Sequence, residues 1–307
     1  MKLAVTNCHG TLGGHLVDRL RSAGHEVVGL DTRPRPTWAA IVAVPEEIGE
    51  SRGVAVATGA IRGCQAVLHL VPRRLDSNQS LMLRDNVQRT ANLLIAMRLA
   101  GVTRLVHAST AAVYGRAQRA PITEDEPARP DNSEQATWRA AEVLAEAFSR
   151  ASGACVTILR TTAIFGGRGR TGSIPALIEA TLVGGRISLP AGGKVRRGYV
   201  HVDDAVAALV LALERPQSGA LAVYNVSAEE TPTQRELCEM IADAVGTRVH
   251  VDPGPDPVPD IPDLVVDITR ARRDLGYSPR PLRDSVGELA SAIARERGFS
   301  APREATP

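Results

Sequence analysis

The sequence predicts an α/β fold, a doubly wound parallel sheet of Rossmann type with a small α/β lobe at its C-terminal end. Three observations predict it. Short, continuously apolar runs alternate with longer helical ones up to Arg160, the pattern of strands buried on both faces by crossover helices. A glycine-bearing turn, "TNCHGTLGG", joins the first apolar run to the first helical one. An acidic residue, Asp31, closes the second apolar run, eighteen positions after Gly13.

"KLAVTN" is the first strand. In "GTLGGHLVDRLRSAGHE" the residues Leu12, Leu16, Val17 and Leu20 share a helix face, and Gly24 stops the helix. "EVVGLD" is the second strand, "AAIVAVP" the third and "GVAVATGAIRG" a helix, with the last two assignments exchangeable. "AVLHLV" is the fourth strand and "LMLRDNVQRTANLLIAMRLAG" a long amphipathic helix. "RLVHAST" is the fifth strand, "ATWRAAEVLAEAFSRASG" a helix and "CVTILR" the sixth strand, all joined by right-handed crossovers. Beyond Arg160 the alternation loosens. "IPALIEATLVGG" is a helix, "YVHVDDAVAALVLALE" a short strand running into a helix, and "LAVYNVS" a strand. "TPTQRELCEMIADAVG" opens on Thr233 with Glu236 three residues on, a capping box before a helix. "PGPDPVPDIPD" reads as loop; "DITRARRDLG" and "LRDSVGELASAIARERG" are the last helices. The expected division is a dinucleotide domain over 1–165, with elements near 195–215 and 221–228 returning to or bordering it, a substrate lobe over 166–298, and a frayed tail over 299–307.

The bulk numbers narrow the function classes. A net charge of +2, from 36 Lys+Arg against 34 Asp+Glu, gives no signal for nucleic acid or an anionic membrane. No apolar run reaches membrane-spanning length, and the N-terminus enters a strand directly, so a cytoplasmic protein acting on a small molecule is expected. Oligomeric state is not legible. Cys8, Cys64, Cys155 and Cys238 are far apart and show neither metal nor disulfide spacing.

The turn is the strongest functional signal. A helix N-terminus offers free N–H groups and partial positive charge to a pyrophosphate. Gly10 lets the backbone approach the phosphates, Gly13 lets helix and strand close up, and Thr11 and Leu12 lie between them. Asn7 stands where a first glycine is usual, and asparagine tolerates left-handed dihedrals. Asp31 is placed to accept from the adenosine ribose hydroxyls, which favours NADH. Arg33, just beyond it, offers a fork to a 2′-phosphate, which leaves NADPH, or use of both cofactors, open beside NADH; Arg35 reads as solvated loop charge.

With these motifs in view, the chain resembles an extended short-chain dehydrogenase/reductase of the nucleotide-sugar epimerase/dehydratase type, from residue 1 to about 295. The resemblance rests on "TNCHGTLGGHLVDRL", "GCQAVLHLV", "NVQRTANLLIAMRLAGVTRLVHASTAAVYG", "TILRTTAIFG", "GYVHVDDAVAALVLAL", "YNVS" and "RARRDLGYSPRPL". It implies that Thr110 touches the reacting oxygen, with Ser109 beside it, and that Leu70, Val71, Asn86 and Thr161 face the cofactor. It also implies that Arg197 grips a substrate phosphate and that His201 faces the substrate lobe. The chain departs from the family in three places. The active-site helix of the family begins Y-x-x-x-K; here Glu134 and Trp138 hold those places. "LRPxN" is "LRTTA", and the Gly-Asp that reads adenine is not visible.

In the family the Tyr moves the proton and the Lys steadies it and grips the nicotinamide ribose. Epimerisation and dehydration both begin by oxidising an alcohol, which needs that base. Ketone reduction needs mainly a positioned hydride and a stabilised alkoxide. The missing pair is similar to that of the tyrosine-less angucyclinone ketoreductases of antibiotic biosynthesis. The expected function is therefore an NAD(P)H-dependent ketoreductase acting on a polycyclic aromatic polyketide, in which a hydroxyl beside the ketone supplies the proton. Two alternatives stand beside it: a catalytically dead NAD(P)-sensing binding protein, and an epimerase or dehydratase with relocated acid/base groups. Glu134 serves either as an acid or only to favour the helix dipole. Trp138 either stacks on a flat substrate or only fills the space a Lys left. His201 is either a substrate contact or a structural side chain bonded to backbone. "FGGRGRTGS" and "AGGKVRRG" suit mobile cleft walls or plain solvated loops.

Overall fold

The apolar runs of the first half become neighbouring strands. The computed structural model describes residues 1–31, 41–43, 51–71, 78–167, 172–184, 186–215, 221–255 and 263–299. In chain order these give β1 (Lys2–Thr6), α1 (Thr11–Ser22), β2 (Glu26–Asp31), β3 (Ile41–Ala43), α2 (Ser51–Ile61) and β4 (Ala66–Leu70). A broken helix follows: α3 (Gln79–Met82), a π-helical stretch (Leu83–Gln88) and α4 (Arg89–Ala100). Next come β5 (Arg104–Thr110), a 3-10 turn (Ala111–Tyr114), α5 (Ser133–Ser152) and β6 (Cys155–Thr161). The third strand and following helix thus take the first of the two assignments the sequence allowed.

Among the described residues the main sheet has seven strands in the order β10-β6-β5-β4-β1-β2-β3, where β10 is Leu221–Val226. Every pairing in it is parallel. Strand order reverses between β1 and β4, so the crevice beyond their C-terminal ends is the place where a doubly wound sheet binds its ligand. One face of the sheet packs Leu3, Val5, Leu68 and Val106 against Leu16, Val17 and Leu20 of α1 and against α7 (Val202–Glu214). The other packs Ala4, Val67, Leu105 and Ile158 against α2, α4 and α5. Both faces are covered, which is why the strands read as unbroken apolar runs.

The later elements build two further cores. Residues of α6 (Ser173–Leu182), α8 (Gln234–Val245) and α10 (Leu282–Glu296) pack together through Ile174, Ile178, Leu237, Ile241, Val286 and Ile293. A two-stranded sheet of β8 (Arg186–Leu189) and β11 (His250–Pro253) closes over Cys238. A second pair joins β7 (Ala163–Phe165) to β9 (Tyr199–His201). The helix α9 (Thr269–Leu275) precedes α10.

The sequence reading needs correction at several elements. The long helix over 81–101 starts earlier and carries the π stretch. The strands β7, β8 and β11 carried no strand signal: each has three or four residues, too few to show a period. The loop placed from Pro253 onward begins inside β11; a proline fits there at the end of a strand whose one partner is β8. Residues 256–262 of that stretch, Arg33, Arg35, the 168–171 part of the glycine/arginine loop and the tail from 300 lie outside the described residues. Among the described residues no helix is long and apolar enough to cross a membrane.

Candidate functional site

The turn between β1 and α1 is shaped by two residues. Asn7 takes a positive φ of 50°, the conformation for which glycine is usual. Its N–H donates to Leu30 O at 2.9 Å and its carbonyl accepts from Gly10 N at 3.1 Å. At Gly13 a Cβ would stand 2.2 Å from Asn7 O and 2.8 Å from Cys8 Cα, so helix and strand meet at a distance only glycine permits. Gly10 is the N-cap of α1 and supplies no side-chain cap, which leaves the helix N-terminus open to an external acceptor. The turn therefore fits a pyrophosphate. At its far side His9 N donates to Asp31 Oδ2 at 3.0 Å, tying the carboxylate at the end of β2 to the turn.

Cys8, His9 and Asp31 also bring one donor atom each within 4.8 Å of one another. This grouping was invisible to a search along the chain, because Asp31 comes from the next strand. Burial and then the charge of Asp31 push the Cys8 thiol up to about 12, so it is protonated at neutral pH.

A cavity of about 500 Å³ opens over the crevice between the strand ends and α5. The phosphate turn contributes Asn7, Gly10, Thr11 and Leu12 to it, and the end of β4 contributes Leu70 and Val71. Thr6 Oγ1 locks these two strand ends together, donating to Leu70 O at 3.1 Å and accepting from Leu70 N at 2.9 Å. The end of β5 contributes Ser109 and Thr110, the end of β6 contributes Thr161, and α5 contributes Glu134 and Trp138. Eleven residues singled out in the sequence thus meet at one cavity. Among its described lining residues Glu134 is the one ionisable side chain; neither Tyr nor Lys lines it.

Local bonding sorts these groups. Thr110 Oγ1 caps the 3-10 turn by accepting from Ala112 N at 3.2 Å, which leaves its proton free to point elsewhere. Ser109 Oγ instead donates to Glu142 Oε1 at 2.6 Å. Thr161 Oγ1 donates to Ser109 O at 3.0 Å. Trp138 is 8 % exposed and packs against Val71 and Val113. It closes the cavity with a flat apolar wall.

Five other expected residues stand off the cavity lining. Gly13 lies behind the turn, and Asp31 beyond it. Asn86 sits in the π stretch and donates through Nδ2 to Thr137 Oγ1 at 2.8 Å; it braces α5. His201 caps α7, accepting at Nδ1 from Asp203 N at 3.3 Å, and Arg280 also bonds that nitrogen. Burial, then Arg280, lowers its pKa, so it serves as a neutral acceptor. Arg197 is half-buried next to Leu264, a cavity residue, and burial pulls its pKa down.

Sequence reasoning missed the cluster behind the cavity. Glu142 is fully buried on α5 and accepts from Arg160 Nε and Nη2 at 3.0 and 2.8 Å. The signal was present: Arg160 is a lone charge in a buried strand, and Glu142 falls one helical turn after Trp138 on the same face. Asn132, Gln135 and Phe165 of the lining were also not foreseen.

The model of the NAD dependent epimerase/dehydratase family matches residues 3–227. The UDP-glucose 4-epimerase of Mycolicibacterium smegmatis is 32% identical, over 97% of this chain and 98% of that protein. The dTDP-4-dehydro-6-deoxy-D-allose reductase of Streptomyces bikiniensis is 28% identical, over 93% of this chain and 94% of that protein. Among solved structures, MoeE5 in complex with UDP-glucose and NAD superimposes with a TM-score of 0.83 at 30% identity, covering 97% of this chain and 100% of that one.

Proposed function

Within the NAD-dependent epimerase/dehydratase family, to which this chain belongs, we propose that it works as a carbonyl reductase that has dispensed with the tyrosine proton donor. The family is one of NAD(P)-dependent oxidoreductases, and the 7–13 turn supplies the matching cradle. We assign as substrate a ketone of a polycyclic aromatic polyketide that carries a hydroxyl next to the carbonyl, on an antibiotic-type skeleton. The observation that carries this reading is the cavity wall: Glu134 and Trp138, which the sequence resemblance sets at the family's Tyr and Lys places, line it, and among its described lining residues there is neither Tyr nor Lys.

When bound, the reduced nicotinamide supplies a hydride to the ketone carbon. Thr110, whose hydroxyl accepts from Ala112 N and among the described residues donates to no protein group, donates to the developing alkoxide. Trp138, Val71 and Leu70 exclude water and hold a flat ring system. The neighbouring hydroxyl of the substrate holds the alkoxide by an internal hydrogen bond and delivers the proton. No oxidation of an alcohol is asked of the site, so no strong base is needed. Arg33, two residues after Asp31, is assigned to the 2′-phosphate of NADPH; Arg33→Ala should weaken NADPH and leave NADH nearly unchanged.

The test is a comparison of reduction rates for paired aromatic ketones with and without the adjacent hydroxyl. The hydroxylated member should be reduced at least tenfold faster, and Glu134→Gln should keep most of the turnover. Equal rates together with an inactive Glu134→Gln would make Glu134 the acid and overturn substrate-assisted protonation.

Arg197 favours a second reading. Among the described residues its half-buried guanidinium has no ion pair, which suits an anionic substrate group. A 4-keto nucleotide sugar would meet both that cation and a reductive site, in line with the substrates named for the relatives. Tight calorimetric binding of UDP or dTDP, abolished by Arg197→Ala, would favour this reading over the aromatic one.

A further inference from the structure

Ser109 stands at the C-terminal end of β5 in the cavity wall, yet its proton is committed inward. Its hydroxyl donates to Glu142 Oε1 at 2.6 Å, and its carbonyl accepts from Thr161 Oγ1 at 3.0 Å. The same Glu142 carboxylate takes Arg160 as a fork, at 3.0 and 2.8 Å, and accepts from Arg139 Nη1 at 3.0 Å. Arg160 is 4 % exposed, and its guanidinium lies 4.8 Å over the ring of Tyr114. The Tyr114 hydroxyl donates to Asn225 Oδ1 at 2.8 Å on β10. One buried carboxylate therefore gathers α5, β5 and β6, and reaches β10 through Tyr114.

Such a cluster is a poor way to gain stability. Burying two opposite charges roughly breaks even against apolar side chains of the same volume. What a bidentate fork does give is a fixed distance and a fixed plane. Trp138 lies one turn and Glu134 two turns before Glu142, all on one face of α5. A roll or slide of α5 about this anchor would carry Trp138 off Val71 and Val113.

We infer that Glu142 is a positioning residue of the cavity: by holding Ser109, Arg160 and Arg139 together it fixes the roll of α5, and with it the place of Trp138 and Glu134 in the wall. Ser109 belongs to this anchor and is not a proton donor to the substrate, because its proton faces a carboxylate that Arg160 keeps ionised. This role is independent of which ketone is reduced.

The experiment uses the whole protein in a Trp38→Phe background, which leaves Trp138 as the one tryptophan. Glu142→Asp keeps the charge beside Arg160 but withdraws it from Ser109; Glu142→Met with Arg160→Met removes both charges together. In each folded variant the Trp138 emission should move to longer wavelength and iodide quenching should rise at least twofold. The Kd for NADH should stay within twofold and the melting temperature near that of the background. If Trp138 emission and quenching are unchanged in either folded variant, the anchor does not set the helix and the inference is overturned. If neither variant folds, Glu142 serves folding alone and the inference is equally overturned. Failure of the aromatic substrate reading leaves this result untouched, since no substrate enters the measurement.

Discussion

Gly13 and Gly10 look alike in the sequence, but the fold asks different things of them. A Cβ at Gly13 would press on backbone, at 2.2 Å from Asn7 O, and backbone cannot turn aside. A Cβ at Gly10 would meet the Asn7 side-chain amide at 3.0 Å and Asn7 O at 3.3 Å, so the backbone contact is looser by about an ångström than at Gly13. Gly13→Ala should therefore destabilise the protein by about 1–3 kcal/mol or more, read from urea denaturation. Gly10→Val should fold but lose both NADH and NADPH in calorimetric titration, because its branched side chain stands where the pyrophosphate comes down. Retained cofactor affinity in folded Gly10→Val would remove this turn from the cofactor site. Single residues of this kind were legible because a turn needs particular dihedrals and contacts. Asn7 was read correctly as a tolerated left-handed residue. Glu142 was not foreseen, since its role depends on Arg160, eighteen residues later on another element.

At the scale of elements, legibility followed length and local chemistry. The helix α8 carries its own start signal. Thr233 Oγ1 accepts from Glu236 N at 3.1 Å, and Glu236 Oε2 accepts from Thr233 N at 2.7 Å, the reciprocal bonds of a capping box. Thr233→Ala should lower stability by about 1 kcal/mol in chemical denaturation and leave NADH affinity unchanged, since α8 lies away from the cavity lining. The bonds from Thr233 also hold the Glu236 carboxyl below the usual range. A depressed carboxylate contributes stability above its unfolded pKa and loses it as pH falls through the folded value. Glu236→Gln should thus matter at neutral pH and cease to matter in strong acid; a pH-independent difference would refute the charged cap. By contrast, β8 and β11 have four residues each, and their pairing is decided by tertiary contact with Cys238 and α6. The π stretch Leu83–Gln88 is equally invisible in composition. It turns Asp85 and Asn86 inward, where Asp85 pairs with Arg84 and Arg89 at 3.1 and 3.2 Å.

The sheet as a whole buries two histidines at its centre, and this sets how the molecule meets acid. His69 on β4 and His107 on β5 are register partners with ring centroids 5.2 Å apart. His69 is satisfied, bonding Thr6 Oγ1 and Thr90 Oγ1 at 2.9 Å each. His107 is fully buried, and neither ring nitrogen has a hydrogen-bond partner among the described residues. Burial brings the His107 pKa down from 6.5 to about 4, against a smaller opposing pull from Glu142. Burial, then the neighbouring His107 and Arg89, lowers His69 well below its usual value. For both groups the folded pKa lies under the unfolded one, so between those values the unfolded chain binds more protons. Stability is then complete above about pH 6.5 and falls as the pH drops toward 4. At about 1.4 kcal/mol per pH unit, His107 alone accounts for a loss on the order of 3 kcal/mol. His107→Phe keeps the stacked ring, removes two unsatisfied nitrogens and cannot be protonated. It should be neutral or stabilising at pH 7.5, and should clearly reduce the drop in urea midpoint between pH 7 and pH 5. The Glu142 carboxylate does not confuse this window. Burial pushes it up, but the bonds and charge of Arg160 outweigh burial and hold it below the usual carboxylate range, so its loss comes in stronger acid. An acid limb of the same steepness in His107→Phe and in the unaltered protein would show that the buried pair does not govern acid sensitivity.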